Sequence, residues 1–145
     1  MNKKILFLIT EDWFFCSHFL DRALAAKNSG YEIIVCSRRN KDKKNIEKFG
    51  FQFHNVSFNR KNINPFYELI VLIQIIFLYK KVKPDIVHHI ALKPIIYGSI
   101  AARINHVKSV INAPVGMGYV FTSDSFKAKL LRPIMKFLLK SLMNW

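Results

Sequence analysis

Ile5-Leu6-Phe7-Leu8-Ile9 is apolar without a break, and its reading decides the fold. A strand with one face in water alternates apolar and polar residues. Five apolar residues in succession need cover on both faces, the condition of a central strand in a parallel sheet. Outward from this run, apolar stretches of strand length alternate with segments of helical length. Phe19, Leu20, Ala23, Leu24 and Ala26 recur at helical spacing, which predicts a helix over 17–29 with Ser17 as N-cap and Gly30 as its stop. Residues 31–36 form a second strand, 38–44 a charged turn, 45–49 a short helix closed by Gly50, and 51–56 a third strand. Pro65 suits the first turn of a helix reaching to about Val82, which Lys83-Pro84 ends. Residues 85–89, 94–104 and 109–112 then read as strand, small-residue-rich helix and strand, followed by a glycine-containing loop over 113–123. The segment 125–144 is helical, with a kink or restart at Pro133. This alternation predicts an α/β fold, a doubly wound, Rossmann-like parallel sheet with crossover helices.

The chain has 145 residues, room for one domain, and its 51% hydrophobic content is enough to fill a core. A net charge of +14 favours anionic partners: nucleic acid, acidic lipid headgroups or a phosphorylated substrate. The basic residues are dispersed and no nucleic-acid motif accompanies them, so nucleic acid is not an expected partner. Cys16 and Cys36 have neither disulfide-framework nor zinc-site spacing, so no metal is expected and a reducing, cytoplasmic setting fits. The apolar run at 5–9 is too short for a signal-peptide core. The run 69–79, interrupted by Gln74 and bounded by Glu68 and Lys80, falls below the roughly 17 residues that span a bilayer. It reads as a buried or interfacial helix.

In open parallel sheets ligands bind outside the carboxyl ends of the strands. The first such loop lacks G-x-G-x-x-G, which argues against a dinucleotide site. It offers Ser17 and His18 at the expected helix start, where backbone N–H groups would hold a phosphate or a sugar hydroxyl. The plainer alternative is that Ser17 only caps the helix and His18 sits on the surface. His88 and His89 end the fourth strand and point to opposite faces, so at most one looks into a given cleft. A histidine satisfied in the core is the commoner case for either. Gly116-Met117-Gly118 would let backbone amides approach a ligand, although a single Gly-x-Gly also serves in ordinary turns.

Three stretches together carry a resemblance. They are Phe14-Phe15-Cys16-Ser17-His18 with 25–32, Pro84-Asp85-Ile86-Val87-His88-His89 with 92–99, and Asn112 with Gly116-Met117-Gly118-Tyr119-Val120-Phe121. In this order they resemble the amino-terminal, acceptor-side domain of family 4 retaining glycosyltransferases of the GT-B type, particularly bacterial ones that build lipid-linked surface glycans. The resemblance implies one half of a GT-B fold over 1–145, incomplete at its C-terminal end and lacking the C-terminal domain that holds the nucleotide-sugar. It implies Ser17, His18, His89, Lys93, Gly116 and Gly118 as substrate-binding residues along one cleft. Many relatives read His-x-His after the fourth strand, whereas this chain has His88-His89-Ile90, so no catalytic role is transferred.

By the same resemblance the complete enzyme would need no cofactor or metal. It would use a UDP-sugar as donor and a lipid-linked saccharide as acceptor. The chain would be cytoplasmic and peripheral on the inner face of the cell membrane. In the last helix Lys129, Arg132, Lys136 and Lys140 share one face and Leu130, Leu131, Ile134, Leu138 and Leu142 the opposite one, a pattern that suits either an anionic membrane surface or a helix whose apolar face packs on the sheet while its basic residues are solvated. Two alternatives stand beside this: a non-catalytic, membrane-recruiting subunit that docks a separate donor-binding chain, and a flavodoxin-like nucleotide-binding module.

Overall fold

The structure is a computed structural model that describes residues 2–115 apart from Arg60 and Ile63, together with scattered positions from Asp124 to Lys140. Five strands, β1 (Lys4–Glu11), β2 (Glu32–Arg38), β3 (Gln52–Asn55), β4 (Ile86–Ile90) and β5 (Ser109–Ala113), pair in parallel in the order β3-β2-β1-β4-β5. The unbroken apolar run lies in β1, the middle strand, whose Leu6 to Ile9 are all buried. This is the Rossmann strand order; a flavodoxin-like sheet would run 2-1-3-4-5. The flavodoxin-like alternative is therefore set aside.

Helices α1 (Asp12–His18), α2 (Leu20–Asn28), α3 (Lys43–Lys48), α4 (Pro65–Val82) and α5 (Leu92–Ile104) cover both faces of the sheet. Strand periodicity divides the core in two. Leu6, Leu8, Ile34, Cys36 and Val87 pack against Val71, Ile75, Tyr79 and Val82 of α4 and Ala101 and Ala102 of α5. Phe7, Ile9, Ile33 and Val35 pack on the other face with Phe15, Phe19, Ala23 and Ile46. Each fully buried large apolar side chain contributes about 2 kcal/mol, so the paired cores explain why strands without a polar face are stable here.

The start of α4 is fixed by Asn64, whose Oδ1 accepts the Phe66 N–H at 3.0 Å, and by Pro65 in the first turn. Its end is the left-handed Lys83, φ 53°, ahead of Pro84. Buried Gly98, Ser99, Ala101 and Ala102 let α5 sit close on the sheet. Asn105 Nδ2 donates to the Ile76 carbonyl at 3.1 Å, while Lys93 and Tyr97 both reach Glu68, so α4 and α5 run side by side in the same direction.

The element boundaries agree with the sequence reading to within a few residues, with one correction. The segment after β1, expected as a loop up to Ser17, is helix α1 from Asp12 onward. Asp12 in the first turn suits the positive end of the helix dipole, and Phe15 and Phe19, four residues apart, are both buried. The helix breaks at Phe19, φ −122° and ψ −8°, and α2 continues from there. The helical segment expected over 125–144 lies mostly outside the described residues; Phe126, Lys129, Leu130, Arg132, Pro133, Lys136, Phe137 and Lys140 are helical.

Candidate functional site

The sheet reverses its winding between β1 and β4, and the crevice outside their carboxyl ends is where such sheets bind ligands. On the β1 side the edge is acidic and closed. Thr10, Glu11 and Asp12 are buried. Asn40, in the turn after β2, ties both acids down: its Nδ2 donates to Glu11 Oε2 at 2.6 Å and its backbone N–H to Asp12 Oδ2 at 2.7 Å. The next residue back, Arg39, donates its N–H to Asn55 Oδ1 at 2.9 Å, which links the ends of β2 and β3. Asp12 Oδ1 is buried and has no hydrogen-bond partner among the described residues. A buried carboxylate oxygen left unpaired is costly, which makes this atom the least satisfied polar group of the edge.

On the β4 side the backbone carries strain. Ala91, between β4 and α5, has φ 78° and ψ 170°, a conformation otherwise reserved for glycine. It is held from both sides, its N–H donating to the Ala113 carbonyl and its carbonyl accepting the Ile95 N–H, both at 3.1 Å. Strained junctions of this kind gather at functional sites. Since Ile9 pairs with Ile90 and Ile90 with Ala113, the chain leaving β5 departs from this same edge.

Of the six residues proposed from sequence, Gly116 and Gly118 lie outside the described residues. The other four do not form one open cleft. Ser17 and His18 are exposed, but in the last turn of α1 rather than at a helix start, and the His18 ring stacks on Phe14 at 4.3 Å. Ser17 is therefore not the N-cap expected; Phe19 precedes α2 without a side-chain cap.

His89 is buried completely. Its Nδ1 lies 2.9 Å from Asn112 Oδ1 and its Nε2 2.9 Å from the Tyr79 hydroxyl. The amide oxygen can only accept, so Nδ1 carries the proton and Nε2 accepts from Tyr79. Burial lowers the His89 pKa to about 4, against the opposing effect of the Asn112 bond, and His88 nearby lowers it further. Both ring nitrogens are satisfied, which makes His89 a core histidine under α4 and α5. His88 faces the other side, half-buried between Phe7 and Phe19, its pKa lowered by burial and by Arg22.

Lys93 is likewise engaged. Its ammonium has three N–H donors, and they meet Asn59 O at 2.7 Å, Asn62 O at 3.0 Å and Glu68 Oε1 at 2.8 Å. Tyr97 donates to the other Glu68 oxygen. Lys93 therefore fastens the polar stretch before α4 onto both helices, and its correction from cleft residue to clasp follows from that full complement of acceptors. The edge residues that sequence reasoning passed over are Glu11, Asp12, Asn40 and Ala91. Only the adjacent acids directly after the first apolar run were visible as a signal.

Solved structures with similar folds include a glycosyltransferase from Rickettsia africae, 21% identical, with 87% of this chain and 35% of that one aligned at a TM-score of 0.60. MurG from Acinetobacter baumannii is 15% identical over 76% of this chain and 34% of its own, TM-score 0.55. A UDP-GlcNAc 2-epimerase from Neisseria meningitidis, bound to UDP-GlcNAc, is 13% identical over 93% and 38%, TM-score 0.58. No curated protein matches the sequence significantly. The chain thus spans a little over a third of the length of these structures. The strand order, the two-faced sheet and these likenesses define a Rossmann-like domain. The chain belongs to the glycosyl transferase 4-like family, whose model matches residues 4–144.

Proposed function

We propose that this chain is the acceptor-side domain of a retaining glycosyltransferase, receiving a lipid-linked saccharide in surface-polysaccharide biosynthesis while a donor domain holds the UDP-sugar. The observation that carries this reading is the carboxyl edge of the sheet, acidic after β1, where Asn40 holds Glu11 and Asp12, and strained after β4 at Ala91. Sugar hydroxyls are donors of the right kind. Glu11 and Asp12, fixed by Asn40, would orient an acceptor hydroxyl toward the donor sugar. Ser17 and His18, exposed at the end of α1, would border the site at its rim. The groups that neutralise the leaving diphosphate would come from the donor domain, as part of the same chain or as a separate one.

The protein would work at the inner face of the cell membrane. Exposed Lys129, Lys136 and Lys140 in the C-terminal segment suit anionic headgroups, each well-placed charge contributing about 1 kcal/mol near the surface. None of the described helices is long and apolar enough to cross a membrane.

The 145-residue chain alone is expected to transfer no sugar from UDP-glucose, UDP-galactose or UDP-GlcNAc to a polyprenyl-diphosphate-linked saccharide. Turnover by the pure chain would contradict the division of labour proposed here.

A further inference from the structure

One face of α4 is covered by the sheet, through Val71, Ile75, Tyr79 and Val82. The opposite face is also apolar, and it is bare. Phe66 is 79% exposed, Ile70 62% and Phe77 64%, with Leu69 and Ile73 between them also exposed. At about 100° per residue these five side chains fall within one stripe along the helix. A helix apolar all round is normally buried all round, and a contiguous exposed apolar patch marks a surface that meets something.

The end of the stripe is basic. Lys80 and Lys81, both exposed, continue it three and four residues beyond Phe77. Lys80 also lines an open cavity of about 330 Å³ together with Lys83, His106 and Lys108. The one carboxylate in its lining, Asp85, already accepts the Lys4 N–H at 2.9 Å. An apolar stripe running into a basic hollow matches an anionic bilayer, with acyl chains along the stripe and headgroup phosphates at its end. A second copy of this chain fits poorly, because each copy carries a charge of +14 and the hollow would face another positive surface.

We propose that α4 is the element by which this protein lies on an anionic lipid bilayer, the Phe66–Phe77 stripe entering the headgroup and acyl boundary and the hollow at Lys80, Lys83, His106 and Lys108 engaging anionic headgroups. The hollow sits at the amino edge of the sheet, before β4 and β5, so the docked protein keeps its carboxyl edge free. The inference deepens the peripheral location proposed above by assigning it to α4, and it does not depend on which acceptor the carboxyl edge takes.

The test is co-sedimentation of the full chain with phosphatidylcholine vesicles, with and without phosphatidylglycerol. Ile70→Glu/Phe77→Glu changes two exposed positions, and an unchanged circular dichroism spectrum and thermal midpoint would show that it folds. It is expected to weaken binding to phosphatidylglycerol vesicles by at least about tenfold, the loss of two partly inserted apolar side chains. Lys80→Ser/Lys108→Ser is expected to keep residual binding but to lose most of the preference for phosphatidylglycerol. Binding of the folded Ile70→Glu/Phe77→Glu chain at wild-type strength overturns the proposal. So does a wild-type chain that ignores anionic vesicles and instead forms a dimer that this variant dissolves. Acceptor binding in vesicle-free solution reads the carboxyl edge separately, so failure of one does not imply failure of the other.

Discussion

Gly98→Ala is expected to destabilise the fold by about 3 kcal/mol. Gly98 lies on α5 directly over the buried His89 ring. A Cβ at this position would stand 2.9 Å from His89 Cε1 and closer still to Cδ2 and Nε2, distances no real Cβ tolerates. The ring cannot retreat without breaking a bond, because Nε2 accepts from Tyr79 and Nδ1 donates to Asn112. Overpacking alone costs about 1–3 kcal/mol, and a displaced buried hydrogen bond adds about 1. Urea unfolding of both chains measures the difference. Removing the ring as well, in Gly98→Ala/His89→Ala, should cost less than the sum of the two single changes, since the clash is shared. A Gly98→Ala chain as stable as the parent would mean that α5 does not seat on the ring as described.

Acidification is expected to remove a comparable amount of stability. The folded chain holds His89 at about 4, whereas the unfolded chain titrates near the ordinary 6.5. Because the folded value is the lower one, the unfolded chain takes up the proton first. His89 therefore contributes its full stabilisation above about pH 6.5, and this is lost progressively as the pH falls toward 4. The total is about 3 kcal/mol at 1.36 kcal/mol per pKa unit. His88 and His54 act in the same direction, both lowered chiefly by burial and further by Arg22 and Lys81 respectively. Unfolding midpoints measured between about pH 7 and pH 5 should fall steeply, and His89→Gln should flatten the slope. Equal slopes in the two chains would place the sensitivity elsewhere.

The fold was legible because its signals are local. The apolar run in β1, the Lys83-Pro84 stop and the small residues of α5 each act within a few positions. The helix α1 was missed because its buried side, Asp12 and Phe15, makes sense only once the Asn40 turn and the sheet face that cover it are in place. The site was far less legible. That His88 and His89 look to opposite faces follows from strand periodicity alone. Which of them is satisfied depends on Tyr79 and Asn112, ten and 23 residues away. Lys93 looked like a cleft cation because its three acceptors lie 25 to 34 residues earlier, two of them backbone carbonyls that sequence does not mark. The strain at Ala91 has no signature either, since nothing in an alanine marks a backbone conformation that normally belongs to glycine.

The central claim is that the carboxyl edge between β1 and β4 receives an acceptor saccharide. It is tested most directly by titrating the ¹⁵N-labelled chain with a soluble, short-chain polyprenyl-diphosphate-linked saccharide and following backbone amide shifts. Saturable shifts are expected at Glu11, Asp12, Asn40 and Ala91, weakened by Asp12→Asn, with the amides around His106 and Lys108 unmoved in the absence of vesicles. Saturable binding that leaves those four positions unchanged, or no binding at all, would contradict it.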